Sequence, residues 1–463
     1  MAPIVAGVDS STQSVKVVLR DADSGELIAE TSKPHPDGTE VDPQRWKDAL
    51  DSALKELSSH HIDAISIAGQ QHGMVAIDAR GEVIRPALLW NDTRSSTEAE
   101  EINEEFPLIH ERVGSKLVAS FTASKVRWLS KNEPENARKV AAIALPHDWL
   151  SWQLQGGKEI KKIFTDRSDA SGTGYFDSVS NQYCGDIFSF VLPHAANIHL
   201  PKVVEPKMFA GETATGIPIA AGAGDNAGAA LGVGAQIGDL VISLGTSGTA
   251  FVVSDSPTHD PSGEVAGFAD ATGNFLPLAC TLNAAKIFAT TSALLNLPFD
   301  EFSSLALKAP VGTDGLRLLP HFDGERTPNR PNSRGQLVGI THANFTRENI
   351  ARAAIEGVLA GMVYAATAVS HLGVHWNRVL LIGGAAKNEA VQNIAAQLFG
   401  GEVFIPAPGE YVADGAAKQA AWALARSVNP PQWRSNNFKN VSAEQSQEIK
   451  EVVASYISLI SKI

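Results

Sequence analysis

Cysteine is nearly absent from this chain of 463 residues, which holds only Cys184 and Cys280. These residues lie far apart and form no Cys-x-x-Cys pair, so we predict neither a disulfide framework nor a zinc site. Apolar runs approaching the roughly 18 residues of a membrane helix are also absent, and the first residues show no basic leader. The sequence therefore favours a cytoplasmic protein without a membrane partner.

Positive charge is scarce as well, because 38 Lys and Arg stand against 51 Asp and Glu, giving a formal net charge of -13. No cluster of Lys and Arg resembles a nucleic-acid footprint, so nucleic acid is not an expected partner. A negatively charged small ligand must then be held locally, by backbone N–H groups, a metal ion or one placed cation.

What the chain does contain is typical of a globular protein, with 44 % hydrophobic and 19 % charged residues. Short β-rich segments alternate with alanine-rich segments of helical periodicity, a pattern that indicates an α/β architecture. The length predicts two large domains or three smaller ones.

A strand–turn–strand pattern occurs twice, at residues 4–19 and 240–253. The two turns, residues 10–14 and 245–248, are small and rich in hydroxyl groups, which predicts an internal duplication. A third strand ends in a Gly-rich turn at residues 383–388, and the apolar spacing after it predicts a helix at residues 389–399. We place the domain boundary near residue 222, because each half then holds one unit.

The predicted domains are therefore 1–222 and 223–463. Their turns suit a polyphosphate, because small residues leave backbone N–H groups accessible and hydroxyl groups supplement them. Asp9, at the end of the first strand, is placed to orient Mg²⁺. Each turn alone is equally compatible with a plain β-hairpin, and the P-loop and Rossmann motifs are both absent.

Three further features have two interpretations each. Asp225 suits either a helix N-cap or a general base that takes a proton from an attacking hydroxyl group. His72, between two glycines of residues 69–73, is either structural or functional. The segment 89–94 suits either the binding of sugar hydroxyl groups or an ordinary capped turn.

The ordered motifs resemble the FGGY carbohydrate kinases of the actin, Hsp70 and hexokinase superfamily, and most closely the xylulokinases among them. The motifs that carry the resemblance are residues 7–12, 69–73, 86–92, 121–125, 145–150, 165–172, 224–227, 243–248, 324–328 and 382–385. The resemblance implies two ribonuclease-H-like α/β domains that flank a deep cleft. The N-terminal half would bind mainly the sugar and the C-terminal half mainly ATP.

The same resemblance implies roles for individual residues. Asp225 would be the general base, and Asp9 would support activity, with both carboxylates near Mg²⁺ through water. The implied sugar-binding residues are Gln71, His72, Trp90, Asn91, Asp92 and Asn226. The implied ATP-binding residues are Ser11, Thr12, Gly245, Thr246, Gly384, Ala385 and Asn388.

The expected reaction is ATP-dependent phosphorylation of D-xylulose to D-xylulose 5-phosphate by a monomer or homodimer. Two departures from the family pattern bear on it: Gln71 replaces the usual Met, which keeps ribulose, another ketose or a polyol open as substrate, and Ser11 replaces a usual Gly. An Hsp70-like ATP-driven switch is disfavoured, because no residues remain for a peptide-binding domain. A non-catalytic sugar-binding relative is disfavoured by the presence of both Asp9 and Asp225.

Overall fold

The computed structural model describes residues 2–193, 198–433 and 438–462. Within them, helices cover mixed β-sheets, so the predicted α/β class is confirmed. The N-terminal half contains β1 (Ile4–Ser10), β2 (Ser14–Asp21), β3 (Leu27–Pro34), β4 (Glu40–Val41), α1 (Pro43–Glu56), β5 (Ala64–Gly69), β6 (Val75–Asp78), β7 (Ala87–Leu88), α2 (Ser96–Glu105), α3 (Ile109–Val113), α4 (Thr122–Asn132), α5 (Pro134–Ala137), β8 (Val140–Ala144), α6 (Pro146–Leu154), β9 (Phe164–Asp166), α7 (Arg167–Ala170), β10 (Phe176–Asp177), β11 (Gln182–Tyr183), α8 (Gly185–Val191), β12 (Lys202–Val204), β13 (Phe209–Glu212), β14 (Pro218–Ala220) and β15 (Ala223–Gly224).

The C-terminal half repeats the alternation of strands and helices. It contains α9 (Asp225–Val233), β16 (Asp239–Leu244), β17 (Gly248–Val252), β18 (Val265–Ala269), β19 (Phe275–Thr281), α10 (Ala285–Leu294), α11 (Phe299–Lys308), β20 (Arg317–Leu319), β21 (Gln336–Val338), α12 (Arg347–His371), β22 (Arg378–Ile382), α13 (Glu389–Phe399), β23 (Glu402–Pro406), α14 (Tyr411–Ala425), β24 (Phe438–Ser442) and α15 (Gln447–Ile460).

The two large sheets show the predicted duplication. In the first, with strand order β13-β14-β5-β1-β2-β3, β1 pairs antiparallel with β2 and parallel with β5. In the second, with order β18-β19-β17-β16-β22-β23-β24, β16 pairs antiparallel with β17 and parallel with β22. Each half therefore places a tight turn and the end of a parallel strand at the same edge of its sheet.

The two halves meet closely where α14 packs on the first sheet, and α14 also packs on α9. A Cβ atom added at Gly415 would lie 1.8 Å from the backbone oxygen of Gly228, and one added at Gly7 would lie 2.0 Å from that of Ala413. Such close backbone contact is open only to glycine. The position of α9 is thus tied to that of α14, and the domain boundary near residue 222 stays a prediction.

One helix, α12, is long and apolar enough to cross a membrane by length and composition alone. However, 72% of its most apolar window is buried inside the protein. Buried residues on this helix, such as Ile355 and Leu359, join the main hydrophobic core of the C-terminal half. We therefore interpret α12 as a core helix.

Candidate active site

Two cavities lie between the halves and share Ser243. The base cavity, of about 250 Å³, is lined by Asp225 together with the predicted sugar-binding residues Gln71, His72, Trp90 and Asn226. The turn after β16 adds Gly245 and Thr246 to the same lining. The turn cavity, of about 590 Å³, is lined by Asp9, Lys16, Gly384 and Lys439 among others.

Asp9 lies near the C-terminal end of β1, where it pairs with Lys16 of β2. Its side chain is buried, and it accepts a hydrogen bond of 2.5 Å from the hydroxyl group of Ser11. Burial raises the pKa of Asp9 to about 6, although the Ser11 hydroxyl group and the Lys16 charge act in the opposite direction. A cation bound nearby would therefore stabilise the ionised form of the Asp9 carboxylate.

Asp225 is the first residue of α9, and Gly224 holds the N-cap position. The N-cap interpretation of Asp225 is therefore wrong. The carboxylate of Asp225 accepts hydrogen bonds from the backbone N–H of Asn226 (2.8 Å) and from that residue's Nδ2 (2.9 Å). The side chain keeps a partly exposed surface toward the base cavity. Loss of hydration among protein atoms and the charge of Asp9 raise the pKa of Asp225 to about 7. A general base that works near neutral pH needs such a pKa.

Ser168, buried in α7, holds the backbone just before Asp225. Its hydroxyl group accepts a hydrogen bond from the backbone N–H of Gly224 (3.0 Å) and donates one to Oδ2 of Asp166 (2.6 Å). Its backbone oxygen accepts a hydrogen bond from Nε2 of Gln71 (3.4 Å). One residue thus fixes both the start of α9 and a side chain that lines the base cavity.

Behind Ser168 lies a fully buried charged cluster around His147. Nδ1 of His147 lies 2.7 Å from Oδ2 of Asp169 and 3.3 Å from Oδ1 of Asp148. Burial alone would lower the pKa of His147, but the adjacent carboxylates outweigh it and raise that pKa to about 10. A cationic His147 therefore balances the charge of carboxylates near the base. The charge of Asp225 contributes to the raised pKa of one of them, Asp169.

His72 is held as a neutral side chain. Its Nδ1 lies 2.6 Å from the backbone oxygen of Gly172, so Nδ1 carries the proton and Nε2 is left as an acceptor. The ring packs between Phe121 and Phe268, with centroids 4.9 and 5.4 Å away. Burial lowers the pKa of His72 to about 3, and the charge of Lys125 acts in the same direction. His72 thus offers the base cavity an acceptor for a hydroxyl proton.

The turn after β22 shapes the turn cavity. A Cβ atom at Gly383 would lie 2.6 Å from the backbone oxygen of Leu244, whereas one at Gly384 would meet no atom within 4 Å. The first glycine is thus required by close contact with β16, and the second leaves open space beside the backbone. Such a surface can accept a flat or bulky ligand group.

Six predicted residues line neither cavity: Ser11, Thr12, Asn91, Asp92, Ala385 and Asn388. Ser11 contacts Asp9, and the hydroxyl group of Thr12 accepts a hydrogen bond of 2.9 Å from Nε1 of Trp90.

Of the other four, two follow Trp90 in the sequence and two belong to the turn after β22. Asn91 is exposed, and Asp92 pairs with Arg94 at 2.9 Å. Ala385 is buried in the core, and Asn388 caps α13 by accepting the backbone N–H of Val391. Their predicted roles stay predictions.

Several cavity residues escaped the sequence analysis, including Lys16, Ser243, Cys280 and Arg326. Lys16 lies in β2, shortly after the first turn. Its pairing with Asp9 depends on the register between β1 and β2. Arg326 lies in the motif 324–328, which carried the resemblance without an assigned role. The positions of Lys16 and Arg326 beside these motifs could be seen in the sequence. That both residues line cavities is shown only by the tertiary structure.

The comparisons with known proteins agree over nearly the whole chain. Residues 4–232 match the family model for the N-terminal domain of the FGGY family of carbohydrate kinases, and residues 240–424 match that for its C-terminal domain. The xylulose kinase of Streptomyces coelicolor is 44% identical over 440 residues, 91% of this chain and 88% of the relative. The xylulose kinase of Haemophilus influenzae is 32% identical over 448 residues, 90% of each chain.

Solved structures give the same result. The xylulose kinase from Bifidobacterium adolescentis superposes with a TM-score of 0.90 at 43% identity, covering 98% of this chain and 99% of that one. Plasmodium falciparum glycerol kinase with ADP has a TM-score of 0.86 at 19% identity, covering 100% and 98%, which supports the fold alone. The expected two-domain kinase fold is confirmed, and the chain belongs to the FGGY family of carbohydrate kinases.

Proposed function

We propose that the protein transfers the γ-phosphoryl group of ATP to D-xylulose, forming D-xylulose 5-phosphate, with Asp225 as general base. The observation that carries the proposal is the pair of cavities joined at Ser243, one holding Asp225 and the other a Gly-rich turn. The relatives from Streptomyces coelicolor and Bifidobacterium adolescentis, both named xylulose kinase, support this choice of sugar.

The base cavity would hold the sugar. Its volume of about 250 Å³ suits a five-carbon sugar, and its lining offers both donors and acceptors. His72 presents an acceptor, and the amides of Gln71 and Asn226 present both kinds of group. Trp90 supplies an aromatic wall, while Asn91 and Asp92 would act from outside the lining.

ATP would lie in the turn cavity with its phosphates toward Ser243. The turn at Gly245 and Thr246 would contact the phosphates, together with Ser11 and Thr12 of the equivalent first turn. The open surface beside Gly384 would receive the adenosine, and Ala385 and Asn388 would support that turn from behind. This arrangement uses the duplicated strand–turn–strand unit as a two-sided phosphate clamp.

The carboxylates of Asp9 and Asp225 would hold Mg²⁺ through its water ligands. They suit this ion, because Mg²⁺ prefers oxygen donors and the charge of one carboxylate reaches the other. When bound, Mg²⁺ supplies charge neutralisation at the β- and γ-phosphates. Without a cation, the charge of Asp9 disfavours ionisation of Asp225, which is part of the reason for its raised pKa.

The chemistry at the sugar then depends on the residues of the chain. Asp225 accepts the proton of the attacking hydroxyl group, which His72 and Gln71 help to orient. Closure of the halves about α9 and α14 would exclude water, which would otherwise accept the phosphoryl group. Small-molecule partners and a cytoplasmic location complete the proposal, with a monomer or homodimer as its working form.

A second substrate is favoured by one observation. Gln71, which replaces the usual Met, is fixed in the lining by Ser168 and by Nδ2 of Asn226, 3.5 Å from its Oε1. A fixed amide can select a different pattern of hydroxyl groups. Ribulose or another ketose or polyol is therefore the alternative substrate.

A coupled ADP-release assay tests the proposal with D-xylulose, D-ribulose, L-ribulose, L-xylulose, glycerol and a control without sugar, at fixed Mg-ATP. We expect selective release with D-xylulose. Selective release with another sugar would transfer the proposal to that sugar, and no release above the control would reject the kinase reaction. Asp225→Asn should lose turnover by several orders of magnitude and still bind the sugar, whereas Asp255→Asn, at an exposed position, should match the wild type.

A further inference from the structure

Arg326 is an unpaired cation in the base cavity. It lines that cavity together with Asp225 and Thr246. Across residues 2–193, 198–433 and 438–462, its guanidinium group forms no hydrogen bond and no ion pair within 4.0 Å. A guanidinium group without a partner among these residues keeps its N–H donors for a ligand in the cavity.

The backbone that carries Arg326 is fixed. The buried carboxylate of Glu325 accepts hydrogen bonds from the backbone N–H of Leu282 (2.6 Å), from Nδ2 of Asn283 (3.0 Å) and from the backbone N–H of Arg326 (2.8 Å). Thr327 on the other side donates its hydroxyl proton to the backbone oxygen of Glu264 (3.0 Å). The backbone from which the Arg326 side chain extends into the base cavity is therefore fixed on both sides.

The charges around Arg326 show what it is suited to bind. Its own charge helps to lower the pKa values of His72 and Lys125, and burial is the larger cause for both. Among the residues that line the base cavity, Arg326 and Asp225 are the cation and the carboxylate. A neutral sugar gives no reason for a free cation there, whereas a phosphoryl group that arrives beside Thr246 does.

We propose that Arg326 is a second catalytic residue, which donates guanidinium N–H hydrogen bonds to the peripheral oxygens of the phosphoryl group during transfer. This inference rests on the proposed function. In the step, the sugar hydroxyl group gives its proton to Asp225, and its oxygen forms a bond to the γ-phosphorus. The bond to the β,γ-bridging oxygen breaks, and its electron pair leaves with ADP. Arg326 balances negative charge throughout and exchanges no proton.

The test compares Arg326→Gln with the wild type on the sugar that the wild type phosphorylates. Removal of a charged donor that acts at the transition state should lower kcat by about 10²–10³-fold, with the KM for the sugar changed less than about threefold. Isothermal titration should show weaker binding of the sugar phosphate product by about tenfold or more, with unchanged binding of the free sugar. Arg326→Lys, which keeps the charge, should recover at least part of both losses.

Arg330→Gln is the matched control, because Arg330 lies in the same loop, is exposed and lines neither cavity. It should retain wild-type kcat and product affinity. An Arg326→Gln enzyme with wild-type kcat, or with a raised sugar KM at unchanged kcat, would overturn the inference. Wild-type turnover of D-xylulose checks the proposed function separately, so failure of one is distinguishable from failure of the other.

Discussion

The hydroxyl group of Ser168 accepts the backbone N–H of Gly224 at 3.0 Å, and so ties α7 to the residue that precedes Asp225. The same hydroxyl group donates its proton to Asp166, which leaves it no freedom to reverse these roles. The start of α9 is therefore positioned from the N-terminal half, although the helix leads into the second sheet. We interpret Ser168 as a positioning residue for the base.

Ser168→Ala should weaken both stability and catalysis. It removes the acceptor of the buried N–H of Gly224, which costs about 1–3 kcal/mol of unfolding free energy, while Oδ2 of Asp166 keeps the hydrogen bond from the backbone N–H of residue 168. Asp225 should then be less well placed, so that kcat falls more than the KM for the sugar rises. Denaturant unfolding and steady-state kinetics measure the two effects. Ser189→Ala, at an exposed position of α8, is the control, and equal kcat in both variants would contradict the positioning role.

The pH dependence of the reaction should follow the base. Because Asp225 works as a carboxylate and its pKa is raised to about 7, kcat/KM should fall as the pH drops through 7 and level off above it. The interaction with Asp9 makes this an apparent pKa of the pair. The residual activity of Asp225→Asn should lack this limb. A flat profile between pH 5 and pH 9 in the wild type would count against Asp225 as the base.

Stability should respond to pH in the opposite sense. The folded pKa of Asp225 lies above the unfolded value of 3.8, so the folded state binds the proton more tightly, and stability is lost as the pH rises from about 4 to 7. Asp225→Asn removes this titration. Its melting temperature relative to the wild type should therefore be higher at pH 8 than at pH 4, and the reverse order would contradict the raised pKa.

Features encoded by neighbouring residues could be predicted from the sequence. The helix predicted at residues 389–399 has those bounds, because Asn388 caps its start and Gly400 adopts a left-handed conformation at its end. The first turn was predicted at residues 10–14, but β1 continues to Ser10, since its pairing with β2 extends to Val15. Strand ends depend on partners that are remote in sequence.

The candidate site likewise combines features that local sequence predicts with features that depend on residues remote in the sequence. Asp225 and His72 were identified from local motifs, but the choice between N-cap and base needed the backbone of Gly224. The charged cluster at His147 could not be predicted, because α6 and α7 contribute to it from separate segments. Likewise, the sequence motif could not predict that the guanidinium group of Arg326 forms no ion pair among the residues that the structure describes.

Lys16→Met should weaken ATP binding. Lys16 lines the turn cavity beside Asp9 and pairs with Glu410 at 2.5 Å, where it can meet a phosphate. Loss of one charged hydrogen bond, about 1.5–3 kcal/mol, should raise the KM for ATP by roughly 10- to 100-fold and change the KM for the sugar little. Lys33→Met, which removes the pair with Glu56, is the control. Unchanged ATP kinetics in Lys16→Met would place the phosphates elsewhere.

Gly415→Ala should destabilise the protein even though alanine favours helices. The added Cβ atom would lie 1.8 Å from the backbone oxygen of Gly228, so α14 and α9 must separate, at a cost of about 1–3 kcal/mol. Because α9 begins at Asp225, kcat should fall as well. Gly185→Ala, where the added atom meets nothing within 4 Å, should leave the unfolding free energy unchanged or slightly raised. If Gly415→Ala unfolds like that control with wild-type kcat, the contact between the helices does not position the base.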